Sequence, residues 1–443
     1  MTLRMNRRRF LVTGATGALG AGAALRPTPA SARILGANDR VRVGVIGTGR
    51  QGLGVLRGHQ ALPDVEIAAL CDVFAPNLAK AAEAAPQAAT RTDFRRVLDD
   101  KDIDAVVIAT PDHWHALMTV MACQAGKDVY VEKPTSVAIA EGRKMVEAAR
   151  KHARIVQVGT QQRSQPHFQK VVELLRAGRI GDVTMVRGWN VGNASPDGIG
   201  RPPDGDPPPG LDWDLWLGPA PKVPFNPNRF GVAPDAWSHF RWFWDYAGGM
   251  MTDWGVHLID IVQWAMNVEA PLSASAVGGK FNLTDNRETP DTIQAIYQYP
   301  DFAMTYENRV CNAQTMNGKG YGIEFYGTDA TLFVDRSGFE IRPESRRSGD
   351  LITPRSEALS GTAASEHPSH PRNFIDCVKS RKLPICDIEI GHRSSSTAIL
   401  GNLAYRSGST VQWDGKTESV ANGNRKAAEL LVRPYRPPWK LEV

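Results

Sequence analysis

Asp253 and His257 stand four residues apart in the run Gly248-Gly249-Met250-Met251-Thr252-Asp253-Trp254-Gly255-Val256-His257. On a continuous helix that spacing puts both side chains on one face. Oxidising an alcohol requires a base for the hydroxyl proton while a hydride leaves for an acceptor. A histidine near its ordinary pKa suits that task, with a carboxylate to orient it and to steady the imidazolium. Lys133, in Glu132-Lys133-Pro134, supplies a cation that can stabilise developing alkoxide charge. The alternative reading of the same residues is a structural i,i+4 pair and an ordinary surface lysine.

An acceptor for the hydride is suggested by Gly47-Thr48-Gly49-Arg50-Gln51-Gly52. Glycines at this spacing allow a tight turn, close approach of backbone to a pyrophosphate, and close helix packing, once strand precedes and helix follows. The helix N-terminus then offers donors and positive potential to phosphate oxygens. Asp72 ends the next apolar run. A carboxylate there can accept from ribose hydroxyls and repel a 2′-phosphate, which favours NAD over NADP. Arg50 is the residue that keeps NADP open, and a loop cap is the alternative role for Asp72. The third apolar run ends in Thr110-Pro111-Asp112-His113-Trp114-His115, a turn expected to border the nicotinamide. His113 and His115 have no cysteine or carboxylate cluster to complete a metal site, and none is expected.

Five apolar runs position these residues: Val41–Ile46, Val65–Cys71, Ala105–Ala109, Val129–Val131 and Ile155–Val158, with helical patterns between them. Alternation of this kind argues for a parallel, doubly wound sheet over residues 41–165. From residue 166 to 443 the texture changes. Strand-like runs such as Ala274–Phe281, Thr292–Tyr299 and Ala303–Arg309 follow with few helices between them, which predicts an antiparallel or mixed sheet. Helical pattern returns at Pro371–Ser380 and Ile390–Ser407. The basic, proline-containing tail Arg425–Val443 reads as an arm on a neighbour or as a frayed end.

Residues 1–32 carry Arg7-Arg8-Arg9-Phe10-Leu11, a weakly apolar Ala/Gly/Leu run and Ala30-Ser31-Ala32. This pattern reads as a twin-arginine export leader cleaved before Arg33, and so predicts a periplasmic or extracellular protein. That route moves folded proteins, so a nucleotide can be loaded in the cytoplasm. No dissolved nicotinamide pool would replace it outside, and a nucleotide recycled in place follows. Hydrophobic residues make up 42% and charged residues 22% of the 443, an ordinary balance for two soluble domains. Loss of the leader's arginines brings the net charge of +5 close to neutral. No basic stripe alternates with aromatics, so a nucleic-acid partner is not expected. After the leader no apolar run approaches the ~20 residues a membrane span needs. The five cysteines are scattered and give no disulfide framework.

Taken in order, VGVIGTGRQG, ATPDHWH, VEKP and GGMMTDWGVHLID resemble the glucose–fructose oxidoreductase / inositol dehydrogenase / rhizopine-catabolism (Gfo/Idh/MocA) family. The resemblance covers essentially the whole chain after the leader. It implies an N-terminal Rossmann domain followed by an α/β domain whose large, mostly antiparallel open sheet mediates dimers or tetramers. Carried over by position, Lys133 is the active-site lysine, Asp253 the substrate-orienting carboxylate and His257 the acid/base. Gly47, Gly49, Arg50, Gln51, Gly52, Asp72, Thr110, Pro111, His113, His115 and Glu132 surround the cofactor with Lys133.

The substrate is expected to be a small carbohydrate. Trp189, Trp213, Trp216, Trp237, Trp242 and Trp244 fall in one stretch, and indole faces suit sugar C–H faces, although core packing explains any single one as well. Arg163, Arg241 and Trp242 are the substrate-binding candidates. Two activities fit: an exported oxidoreductase acting on a sugar or polyol hydroxyl, or a redox-neutral glycoside hydrolase working by transient oxidation and elimination.

Overall fold

The structure, a computed structural model, describes residues 39–230, 238–348, 351–364, 369–421 and 423–443. The expected leader over residues 1–32 and Trp237 lie outside the described residues. The first sheet is built from β1 (Val41–Ile46), β2 (Val65–Cys71), β3 (Ala89–Arg91), β4 (Ala105–Ile108), β5 (Asp128–Val131) and β6 (Val156–Val158). They lie in the order β3-β2-β1-β4-β5-β6, and every pairing is parallel. β1, β4, β5 and β6 are almost wholly buried. Helices cover both faces of a parallel sheet, so its central strands read as unbroken apolar runs. The edge strand β3 has the sequence ATR and is largely exposed. It carries no apolar run, so periodicity passes over it.

The second sheet uses β7 (Val183–Val191), β8 (Ser273–Gly279), β9 (Thr292–Gln298), β10 (Ala303–Arg309), β11 (Tyr321–Gly327), β12 (Ala330–Asp335) and β13 (Gly338–Pro343). After a separate hairpin of β14 (Ser345–Ser348) and β15 (Leu351–Pro354), it is completed by β16 (Leu359–Thr362), β17 (Val411–Asp414) and β18 (Ser419–Val420). The order is β16-β13-β12-β11-β7-β10-β9-β8-β17-β18, antiparallel except between β7 and β10. Strand β9 alternates buried and open positions along TIQAIYQ, the signature of a sheet with one face on the core. That core face rests on two helices, Gly255–Met266 and Ile388–Ser407.

Chain order and packing part company at the C-terminus. Helix His370–Ser380 sends Phe374, Ile375 and Val378 into the core of the first sheet, among Val41, Val43 and Leu56. The tail is neither frayed nor an arm on a neighbour: Tyr435, Trp439, Leu441 and Val443 pack on the first sheet's other layer. Trp439 meets Trp114 edge-on at 4.9 Å between ring centres, and the Arg436 guanidinium pairs with Asp214 at 2.7 Å. Apolar side chains spaced along an otherwise basic segment account for the docking.

Arg163 sits in the short turn Gln161–Ser164 directly after β6. Its guanidinium meets Asp260 at 2.7 Å and lies 4.9 Å from the Trp264 ring centre. Only 5% of the Arg163 side chain and 1% of Asp260 is exposed, so the pair is a buried tie between the turn and the helix beneath the second sheet. Removing one partner strands a buried charge. Asp260→Ala is expected to lower the unfolding free energy by about 3–5 kcal/mol in urea titrations. A loss below 1 kcal/mol would show that Arg163 finds water or another partner.

Candidate active site

Strand β1 runs into the glycine turn. Gly47 has φ of +84°, and a Cβ there would lie 2.7 Å from the Ala109 backbone. A Cβ on Gly52 would lie 1.9 Å from the Gly47 carbonyl oxygen, so turn and helix cannot approach this closely with any side chain at 52. Gly49 caps helix Arg50–Gln60, and a Cβ there meets only Asn77 Nδ2 at 3.7 Å. Two glycines are thus demanded by packing, and the third keeps the mouth of the helix clear. Backbone and helix terminus therefore fit a pyrophosphate.

Asp72 serves this turn directly. Its Oδ2 accepts from the Thr48 amide at 2.7 Å and the Thr48 hydroxyl at 3.1 Å, and its Oδ1 from the Phe74 amide at 2.9 Å. Burial pushes the carboxyl pKa up against those hydrogen bonds. The residue therefore caps the loop and also lines the cavity beside the turn.

A cavity of about 420 Å³ extends from the glycine turn to the second sheet. Gly47, Gly49, Arg50 and Gln51 line one end with Asp72. Thr110, Pro111 and His115 come from the end of β4, and Glu132 and Lys133 from the end of β5. Gln51 Nε2 donates to Glu132 Oε1 at 3.1 Å, and burial raises the Glu132 pKa. The His115 ring lies between the carbonyls of Pro134 at 2.6 Å and Thr110 at 2.9 Å, and burial lowers its pKa to about 4. It joins the β4 and β5 loops rather than reaching across the cavity.

From the other side come Arg241, Asp253 and His257. Lys133 Nζ donates to Asp253 Oδ1 at 2.7 Å and to the Asp253 carbonyl at 3.0 Å. Arg241 Nε donates to Asp253 Oδ2 at 3.0 Å. Burial works to raise the Asp253 pKa, but Arg241 and Lys133 outweigh it and hold the carboxylate far below its usual range. His257 is 5% exposed, and its Nδ1 is buried with no hydrogen-bond partner among the described residues. Burial first, then the charges of Lys133 and Arg336, push its pKa well below the ordinary value. This lowering favours the neutral imidazole, the form that can accept a proton.

The one continuous helix expected over Asp253 and His257 is interrupted, although both side chains still line the same cavity. Helix Gly249–Asp253 ends, Trp254 intervenes, and a second helix begins at Gly255. A Cβ on Gly255 would make ordinary contact with the Tyr306 ring at 3.4 Å, so the new helix packs beside β10. Asp253 consequently turns to Lys133 and Arg241, and no hydrogen bond joins it to His257 among the described residues. The carboxylate orients the lysine, not the imidazole.

Three other candidates lie off the cavity wall. His113 is buried against Trp216 and Tyr246, with its Nε2 3.1 Å from the Trp216 carbonyl and its own carbonyl accepting from Arg433 at 2.7 Å. Trp242 lies beneath Arg287, 4.3 Å from ring centre to guanidinium carbon. Arg163 is held by Asp260. Each is occupied by a partner distant in sequence, which local pattern cannot reveal. The sequence reading also passed over Asp112 and Arg336, both on the wall. Asp112 is 7% exposed, and burial, only partly opposed by Lys133, raises its carboxyl pKa to about 8. It lay within a motif already singled out. Arg336 occupies a turn between β12 and β13, where no local pattern marks it.

Among the described residues no group of three or more His, Cys, Asp or Glu side chains is arranged to hold a metal. No described helix is long and apolar enough to cross a membrane.

Comparison with known proteins agrees with this architecture. The family model described as "Oxidoreductase family, NAD-binding Rossmann fold" matches residues 41–160, and that of the family's C-terminal alpha/beta domain matches residues 200–312. The scyllo-inositol 2-dehydrogenase (NAD(+)) of Bacillus subtilis is 25% identical over 85% of this chain and 97% of its own length. The inositol 2-dehydrogenase of Salmonella typhimurium is 31% identical over 33% of the chain, a match that spans only 45% of that enzyme. The structure of levoglucosan dehydrogenase in complex with NADH and levoglucosan superposes with a TM-score of 0.64. It is 18% identical and covers 84% of this chain and 99% of that one, a likeness of fold.

Proposed function

This chain belongs to the Gfo/Idh/MocA oxidoreductase family, and on that premise we propose that it moves a hydride between a hydroxyl-bearing carbon of a sugar or polyol and a nicotinamide dinucleotide held through the cycle. The observation that carries this reading is the convergence of Lys133, Asp253 and His257 on the cavity that begins at the glycine turn. When bound, the nicotinamide supplies the hydride chemistry. The turn Gly47–Gly52 and the N-terminus of helix Arg50–Gln60 hold its phosphates, and Asp72 its adenosine ribose, which favours NAD over NADP. Thr110, Pro111 and Glu132 flank it.

His257 accepts the hydroxyl proton as the carbonyl forms and returns it in the reverse direction. Lys133, fixed by Oδ1 and the backbone carbonyl of Asp253, steadies negative charge on the reacting oxygen without reorganising. Arg241 pins the far carboxylate oxygen, so the lysine has one position rather than several. The twin-arginine pattern of residues 1–32 supports export of the folded, loaded protein to the periplasm or beyond. The outward face shared by Met185, Val277 and Ile296 supports assembly into a homodimer or homotetramer.

The reading is tested on purified protein beginning at Arg33. Denaturation after long dialysis should release close to one NAD(H) per chain, and a panel of sugars and polyols should change its redox state. An empty protein indifferent to added NAD would contradict the reading. Release of an aglycone from a chromogenic glycoside with no net change in the nucleotide would assign the redox-neutral hydrolase instead.

A further inference from the structure

Arg336 projects from the turn between β12 and β13 into the cavity beside His257. Its guanidinium carbon lies 4.8 Å from the Trp254 ring centre, and its Nε and Nη2 reach only the neutral Gln162 Oε1, at 3.4 Å each. Among the described residues it forms no ion pair. The two other cations near Asp253 are both committed: Lys133 and Arg241 hold one carboxylate oxygen each. Asp112, another buried carboxyl on the wall, has its pKa raised to about 8 by burial. Of Lys133, Arg241 and Arg336, Arg336 is thus the one with no carboxylate partner among the described residues, while Glu132, another buried carboxyl on the wall, takes its hydrogen bond from Gln51.

The phosphates of a dinucleotide do not account for it. Their turn and helix terminus belong to the first sheet, whereas Arg336 comes from the second, on the part of the wall that also carries His257. A partly buried, stacked guanidinium with unfilled donors matches an oxyanion in bidentate geometry.

Building on the hydride-transfer reading above, we propose that the substrate is an acidic sugar, and that Arg336 is the specificity-determining residue that binds its oxyanion. The same anion would offset the positive charge that Arg336 and Lys133 impose on His257, so an acidic substrate improves the base as it binds. A carboxylate of a hexuronate and a phosphate on a sugar share this chemistry, and the assay separates them.

The test compares kcat/KM for a methyl hexoside, the matching hexuronate and the matching 6-phosphate in the loaded protein. The wild type is expected to favour one of the two anions over the neutral hexoside by about 10- to 100-fold, the scale of hydrogen bonds to charged groups. Which anion is favoured names the source of the oxyanion. In Arg336→Gln the anion-to-neutral ratio should fall to within about threefold of unity, and Arg336→Lys should restore part of it. The inference is overturned if the wild-type ratio is near unity, or if the ratio survives in Arg336→Gln. Turnover of neutral sugars alone would leave the hydride-transfer reading standing without this one. Silence across all three compounds and a polyol panel would reject the hydride-transfer reading itself.

Discussion

His257→Ala is expected to lower turnover by about 10²- to 10⁴-fold, the range for loss of a general acid–base group. The side chain is 5% exposed, faces the cavity and leaves Nδ1 without a partner among the described residues. Burial and the charges of Lys133 and Arg336 keep the ring neutral, which a base requires before the reaction starts. Nucleotide content should stay near the wild-type value, because the glycine turn and Asp72 lie at the other end. Steady-state turnover with the best sugar of the panel, beside nucleotide counts on the same preparation, makes the measurement. Turnover within threefold of wild type would remove His257 from the mechanism.

Lys133→Met should lower kcat/KM by about 10²- to 10³-fold, the cost of removing one preorganised donor from a developing oxyanion. The lysine is held by Asp253 Oδ1 at 2.7 Å and by the carbonyl of the same residue at 3.0 Å. Loss of the carboxylate in Asp253→Ala frees the ammonium and leaves it beside Arg241, so activity should fall there too. Because Asp253 acts through the lysine, the double replacement should cost little more than Lys133→Met alone. Fully additive losses would show that Asp253 touches substrate independently, and an intact kcat/KM in Lys133→Met would remove the lysine from the reaction.

The parts of this site that were legible in the sequence are those whose meaning is local. Strand, glycine turn and helix follow one another within residues 41–60, and the Gly52 constraint arises from the Gly47 carbonyl within the same turn, so the motif could be read there, although Gly47 is also pressed by the distant Ala109 backbone. The parallel first sheet was equally readable, because its strands are short apolar runs separated by amphipathic helices. Partners fixed by distant chain were not. Arg163 resembled a cavity residue until Asp260, almost a hundred positions on, was placed against it. His113 is claimed by Trp216 and Arg433, and Trp242 by Arg287. The interruption at Trp254 leaves no mark in the spacing of Asp253 and His257, which alone would have continued the helix through it. Arg336 carries no pattern at all and becomes visible only when β12 and β13 bring their turn to the cavity.

The most direct measurement follows the hydrogen itself. Loaded protein would be given, for a single turnover, a reactive sugar deuterated at its hydroxyl-bearing carbons, then denatured, and the released nucleotide weighed by mass spectrometry. The account predicts deuterium in the reduced nucleotide from wild-type protein and almost none, over the same interval, from His257→Ala. A reduced nucleotide without deuterium would contradict direct transfer from carbon, and a nucleotide left oxidised while the sugar is consumed would contradict the reaction.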